Sequence, residues 1–409
     1  MSQDTTILRQ IYDYANRANP YPLWAKLRET PVCFQEDGPD EAGTYVVSTY
    51  REIVALLHDP RISSDLRKSV QTGGRPQDST APYRFISLDP PEHDRLRRLA
   101  MRHFGPPERP EYLEQLRPEI VRIVTTLLDQ LQGKRQFDLI DSFAYPLPVM
   151  VICRILGVPL SDEPQFHVWA TALIESLASQ TEEQRQQRDQ ARGDLKRYMT
   201  DLVERHRKHP GDSLLSRMAT DTGPEGRMEE PSLVETAGLL LVAGHETTVN
   251  LIGNGMLTLL RYPAILERLR NRPDLMSATV EEVLRYEPPV QFLTQRTTLD
   301  EIALAGTTIP KGVLVTLALA AGNRDPERFA DPDRFDPERR DNEHLGFGSG
   351  IHICFGAPLA RMEAQIAFTE LLLRLSQPRL VVDPPPYRPS PILRGPEHLL
   401  IAVEGVHES

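Results

Sequence analysis

The stretch GFGSGIHICFGAPLAR, residues 346–361, holds one cysteine, Cys354, two residues after His352 and among four glycines. A thiolate is a soft metal ligand, and one held to a haem iron donates electron density that favours cleavage of an O–O bond. Cys354 lies just ahead of APLARMEAQIAFTELLLRL, a helix-like run whose first N–H groups and dipole favour an anion. Glycines at 348, 350 and 356 let a backbone approach a flat cofactor closely. A lone cysteine is otherwise most often an inert buried residue. Competing readings of the loop fail on spacing. From Gly346 or Gly348 the third glycine of G-x-G-x-x-G is missing, and no lysine follows for a phosphate loop. Ser349 has glycines directly beside it rather than two away, so G-x-S-x-G fails as well. A zinc site needs further cysteine or histidine at ligand spacing, and HIC stands alone.

Three further constellations carry polar chemistry. In LLVAGHETTVNLIGNG, residues 240–255, Ala243, Gly244 and Thr247 share one helical face, and their small size leaves room for a ligand. The Thr247 hydroxyl can loosen the local hydrogen-bond ladder, and Glu246 beside it is a candidate proton relay. HETTV is not H-E-x-x-H, because position 249 is valine, which excludes a zinc protease. The alternative is a buried helix with incidental polar residues. In SLDPPEHDRLRRLAMRHF, residues 87–104, Asp89 caps, Pro90 suits the first helical position and Glu92 the third. His93, Arg97, Ala100 and Phe104 then fall on one side, with Arg95, Arg98 and Arg102 opposite. One side suits an acidic group of a buried cofactor and the other a partner; a solvated basic helix is the plainer alternative. In EEVLRYEPP, Glu282 and Arg285 are spaced to pair across one turn, a contact worth little on a surface.

These residues need elements to hold them. PVCFQE and TYVVSTY have strand character, and helical pattern dominates from about Pro90 to Tyr286. The LLVAGHETTVNLIGNG segment fits one helix from Pro231 to Tyr262, ended by Pro263, about 48 Å long. A β-rich piece follows, TQRTTLDEIALAGTTIPKGVLVTLALAAG, with Gly306, Pro310 and Gly312 as turn signals. After a proline-rich irregular stretch a last long helix starts at or just after Gly356. Strands and helices are segregated, so the chain reads as mainly α with small sheets. There is no internal repeat or low-complexity linker.

Composition narrows the class. The 409 residues are 40% hydrophobic and 26% charged, as in a globular protein with ample core material. A net charge of -11 weighs against non-specific binding to nucleic acid or anionic membrane. Three scattered cysteines, Cys33, Cys153 and Cys354, suit a reducing compartment. The N-terminal MSQDTTILRQIYDYANRANPYPLW lacks a signal-peptide pattern. The most apolar run, TAGLLLVAGHETTVNLIGNGMLTLL, is interrupted by His245 and Glu246; no membrane anchor and a cytoplasmic location are expected.

In this order, the four constellations resemble the cytochrome P-450 superfamily of haem-thiolate monooxygenases. FGSGIHICFGAPLAR matches its F-x-x-G-x-H-x-C-x-G-x-x-L-A-R loop, and AGHETT looks like its A-G-x-[DE]-T-T helix. EEVLR supplies its E-x-x-R, and FDPERR is similar to the segment that bears a third triad residue. The likeness runs from NPYPLWAKLRE to ILRGPEHLLIAV and is nearest to the soluble bacterial branch. Phe355 stands where leucine is frequent, and Glu246 where aspartate is also common.

The resemblance implies one P-450 domain over residues 1–409, a many-helix fold with small β-sheets packed around a buried haem b. Cys354 is implied as the axial ligand, His93, Arg97, Arg296 and His352 as partners of the haem propionates, and Phe347 and Gly348 as neighbours of the cofactor. Thr247 and Glu246 would steer protons to dioxygen, and Glu282, Arg285 and Arg339 would form a structural triad. A pocket for a hydrophobic small molecule is expected from Phe85, Ile86, Leu240, Ala243, Val290, Phe292, Leu293, Ile392 and Leu393. One atom of O2 would enter a C–H bond and the other leave as water. The sequence shows no flavin or nicotinamide fingerprint, so electrons are expected from a separate ferredoxin or flavodoxin with its NAD(P)H reductase, docking on Arg95, Arg98 and Arg102. The alternatives are a non-catalytic haem sensor or carrier, and a peroxide-using enzyme of the same fold; the presence of both Glu246 and Thr247 argues against each.

Overall fold

A computed structural model of the protein describes residues 6–35, 43–70, 84–105, 109, 111–175, 182–223 and 226–408. The chain forms two compact units, each assembled from three stretches. The first takes Met1–Ala81, Asn254–Phe355 and Asp383–Glu397, the second Pro82–Gly253, Gly356–Val382 and His398–Ser409.

The first unit is built on a five-stranded sheet in the order Val32–Gln35, Thr44–Val47, Leu314–Leu317, Leu293–Thr298, Ile62–Ser63. Thr44–Val47 and Leu314–Leu317 pair in parallel, with Tyr45 opposite Val315, and the other pairs are antiparallel. Both parallel strands are largely buried along their length, which is why their sequences read as apolar runs rather than alternating ones. Val32, Val47, Ile53, Leu56, Val315 and Leu317 share one core with Leu345. That last residue opens the cysteine loop, so the loop starts from an anchored point. The pairing register shifts between Leu293 and Arg296, an irregularity of the kind that re-aims side chains.

The second unit is mostly helical: Glu92–Met101, Tyr112–Asp129, Pro146–Leu156, Glu163–Glu175, Glu182–Lys208, Leu214–Ala219, Ala357–Arg374 and the part of Glu230–Arg261 up to Gly253. A small sheet joins Arg379–Leu380, Leu400–Ala402 and Gln136–Asp138. The chain is therefore mainly α with small sheets, as expected, and no helix among the described residues is long and apolar enough to cross a membrane.

Boundaries differ in three places. The helix expected from Pro90 begins at Glu92, with Pro91 in the cap position and no side-chain cap bond; Asp89 serves through its carbonyl, which accepts from His93 N at 3.0 Å. Leu319–Gly322, read as the end of a β-rich run, is a short helix, since a short apolar run has no period that separates the two states. The helical stretch from Pro90 to Tyr286 is broken by the strand Gln136–Asp138. By contrast the long helix spans Glu230–Arg261, and Pro263 opens the next helix. The last long helix begins at Ala357 after Gly356, with Pro358 in its first turn, where a missing N–H costs nothing.

That helix buries a carboxyl. Glu363 is 1% exposed, its Oε2 has no hydrogen-bond partner among the described residues, and burial pushes the group from 4.5 up to about 8. Below about pH 4.5 both folded and unfolded chains carry the proton; between there and about pH 8 only the unfolded chain ionises. Stability therefore falls as pH rises through this window, by about 1.4 kcal/mol per pH unit. Glu363→Gln removes this dependence, and melting curves should show the variant gaining on the parent from pH 5 to pH 8. Parallel curves for the two proteins would contradict the buried acid.

Candidate functional site

The cysteine loop is held by the first unit. Leu345 N donates to Asn323 Oδ1 at 2.7 Å, and Cys354 N donates to the Phe347 carbonyl at 2.9 Å, closing the loop on itself. His58 Nε2 and Ser349 Oγ are 2.8 Å apart, and Ser64 Oγ and His352 Nε2 are 2.9 Å apart. Cys354 is exposed, whereas Cys153 is buried and Cys33 half-buried. Burial raises the thiols of both others, Cys153 to about 12, so neither is a source of thiolate at neutral pH.

The glycines of this loop divide by role. Gly350 has φ +71°, and a Cβ there would lie 2.3 Å from the Leu57 carbonyl oxygen. It is glycine because the backbone packs there, not to admit a cofactor. A Cβ at Gly356 would meet nothing within 4 Å, and one at Gly348 only Leu293 Cδ1 at 3.9 Å. Bare backbone thus stands near Cys354 on both sides in the chain, as a flat ligand requires.

Glu282 and Arg285 are both 0% exposed. Arg285 Nε and Nη2 donate to the two Glu282 oxygens at 2.8 and 2.7 Å, and Arg339 Nε reaches the same carboxylate at 3.3 and 3.4 Å. The remaining Arg285 N–H groups donate to the carbonyls of Asn323, Pro332 and Arg334. A single buried fork thus ties the Met276–Tyr286 helix to the irregular segment that leads into the cysteine loop. Spacing alone gave the Glu282–Arg285 pair but not its depth. A second buried cluster went unread: Glu287 pairs with Arg394, and Arg324 lies 3.6 Å from the Tyr286 ring centroid and 3.9 Å from that of Tyr21. Burial works to raise the Glu287 carboxyl, but Arg394 and Arg324 hold it below its ordinary value. Its signal was the EPP that follows the E-x-x-R run.

Arg296 is 8% exposed and stands opposite Val315 in the sheet. In the second unit His93 is 1% exposed, with Nδ1 2.7 Å from Asp94 Oδ1 and its ring edge-on to Phe85. Arg97 is half-buried on the same helix. On the long helix Thr247 Oγ1 donates to the Ala243 carbonyl at 2.9 Å, while Glu246 is 3% exposed. Ala243 is exposed and Leu240 half-buried. Gly244 offers less room than its size suggests, because a Cβ there would lie 2.9 Å from Ile152 Cδ1.

The expected pocket needs correction. Phe292 is 1% exposed and packs against Trp24, with ring centroids 4.8 Å apart, and against Tyr12 at 5.4 Å. Its ring belongs to that core cluster. Ile86 is 44% exposed beside buried Phe85. In the first unit Val290 and Leu293 are half-buried, and Val290 bridges Leu393, which with Ile392 is buried. The proposed docking face changes too. Arg102 is buried, pairs with Asp221 and donates to the Gly226 carbonyl at 2.6 Å, and Arg95 pairs with Glu92 at 2.7 Å. Of the three arginines Arg98 alone is exposed.

Within the first unit the exposed Cys354 thiol and the bare backbone at Gly348 are of the kind that suits a thiolate-bound flat cofactor. The cytochrome P-450 family model matches residues 41–401. Cytochrome P-450 107B1 of Saccharopolyspora erythraea is 40% identical over 402 residues, covering 95% of this chain and 96% of that protein. The vitamin D(3) 25-hydroxylase of Pseudonocardia autotrophica is 38% identical over 384 residues, 92% of each chain. Among solved structures, ligand-free CYP164A2 of Mycobacterium smegmatis superimposes with a TM-score of 0.88 at 39% identity, over 97% of this chain and 99% of that one. With the cysteine loop, the buried Glu–Arg fork and a match over nearly its whole length, this chain belongs to the cytochrome P-450 family and is a monooxygenase of the oxidoreductase class.

Proposed function

We propose that the protein, acting as one functional domain, oxygenates a hydrophobic organic molecule using O2 and electrons from a separate ferredoxin or flavodoxin. Cys354 is the thiolate ligand of haem b, and His93, Arg97, Arg296 and His352 take its propionates. His93 Nδ1 is engaged by Asp94, so a propionate would be addressed through Nε2. When bound, the haem supplies oxygen activation and two-electron chemistry. What the chain adds is proton handling and positioning. The observation that carries this reading is the Thr247 hydroxyl, whose single proton is committed to the Ala243 carbonyl. Toward a ligand Oγ1 is then an acceptor, suited to ordering a water, and buried Glu246 beside it is the acid that passes a proton on.

Substrate is expected among bulky apolar molecules, supported by the hydrophobic character of Phe85, Leu240, Val290, Leu293, Ile392 and Leu393 and by the similarity to the vitamin D(3) 25-hydroxylase of Pseudonocardia autotrophica. A spin-state screen of the haem band against a compound library identifies it. With a surrogate redox pair, Thr247→Ala should still consume NAD(P)H and O2, but product per NAD(P)H falls by about tenfold or more, with peroxide released instead. Tightly coupled product formation in this variant would sink the relay. The positive contact for the reductant centres on Arg98, which is exposed where Arg95 is half-buried and Arg102 is buried.

A further inference from the structure

The second unit brings His167, His245 and Glu246 together, with one ligand atom from each within 4.8 Å of the others. His167 lies on the Glu163–Glu175 helix, and the other two are adjacent on Glu230–Arg261. His245 is 3% exposed, its Nε2 makes no hydrogen bond among the described residues, and that atom lies 3.2 Å from Glu246 Oε1. Tyr145 walls the cluster. Its ring stands edge-on to His167 at 4.8 Å and to His245 at 5.8 Å, and its hydroxyl donates to Glu163 Oε1 at 2.5 Å. His167 is exposed and the other two are buried, so the group has a wet side and a dry side.

We infer that His167, His245 and Glu246 form a binding site for one divalent first-row transition ion of the zinc type. Two imidazoles and a carboxylate with a position left open suit Zn2+, Ni2+ or Cu2+, while Mg2+ and Ca2+ want all-oxygen sets. Ligand atoms at about 2.0–2.2 Å from a tetrahedral ion are roughly 3.4 Å apart. The His245–Glu246 pair already meets this spacing, and only the exposed His167 must swing inward. The ion would sit between the buried His245 nitrogen and Glu246 Oε1, which face each other without a hydrogen bond among the described residues, and would tie the two helices together. It would also hold the Glu246 carboxylate, so zinc should suppress coupled turnover; this consequence alone rests on the proton role proposed for Glu246.

The test is titration of the haem-loaded full chain with zinc chloride, followed by calorimetry. One zinc should bind per chain, and His167→Gln should weaken it by at least the ~10–100-fold that losing even a supporting group costs a metal site. His245→Asn gives the same result from the buried side. His398→Gln, in the separate cluster of Asp138, Asp141 and His398, should leave the affinity unchanged. Equal zinc affinity in the parent and His167→Gln, or loss only in His398→Gln, overturns the site. In turnover assays zinc should cut product in the parent more than in His167→Gln, which cancels any action on the redox proteins. Zinc that binds through His167 without cutting product leaves the site standing and removes Glu246 from the relay.

Discussion

Cys354→His should yield a folded protein that has lost both monooxygenase activity and the reduced carbon monoxide band from which the P-450 family takes its name. The two losses have one cause and folding is spared, because the side chain of Cys354 is exposed. The loop around it is fixed by other atoms: the Leu345 side chain in the core, Leu345 N on Asn323 Oδ1, and Cys354 N on the Phe347 carbonyl, a backbone bond that histidine keeps. Imidazole is a neutral ligand and withdraws the electron donation that a thiolate gives an iron centre. Product should therefore fall to background while the melting temperature moves little. Cys33→Ser and Cys153→Ser serve as controls, since burial raises both thiols and leaves neither as a thiolate. The band must survive in both. Persistence of the band in Cys354→His would overturn the ligand assignment.

The legible parts of this protein are those whose physics is local. The cysteine loop is a run of spaced residue types, and the long helix carries its own stop in Pro263, so both were readable without neighbours. What stayed hidden depends on chain that is remote in sequence. Arg102 read as exposed because its partner Asp221 belongs to a distant segment. Gly350 read as a cofactor contact, yet the atom that demands glycine is the Leu57 carbonyl. Phe292 sits just before a register shift, and no alternation rule carries through such an irregularity to say which way its ring turns. His167 is a lone histidine in an ordinary helix until packing sets it beside His245.

The buried fork gives the other large effect. Glu282→Ala should destabilise the fold by about 3–5 kcal/mol, the usual cost of leaving a buried charge without its partner. Arg285 is 0% exposed, and burial already pulls its guanidinium below the ordinary value, with Glu282 the chief group opposing that pull. Loss of the carboxylate also strands Arg339 Nε, Asp336 N and Asn342 Nδ2, which all donate to it. The segment so released runs into Asn323 and Leu345, which seat the cysteine loop. Haem retention should therefore fall along with the melting temperature, although Glu282 is not a cofactor residue. Arg285→Lys tests the geometry separately from the charge. The fork makes five bonds, two to Glu282 and three to the carbonyls of Asn323, Pro332 and Arg334, and a lysine ammonium has only three donors with no planar face. A lysine variant as stable as the parent would show that charge alone suffices. A Glu282→Ala cost of less than about 1 kcal/mol in urea or thermal unfolding would reduce the triad to the standing of a surface pair. Since water cannot reach either partner to replace the lost bonds, the larger cost is the expected one.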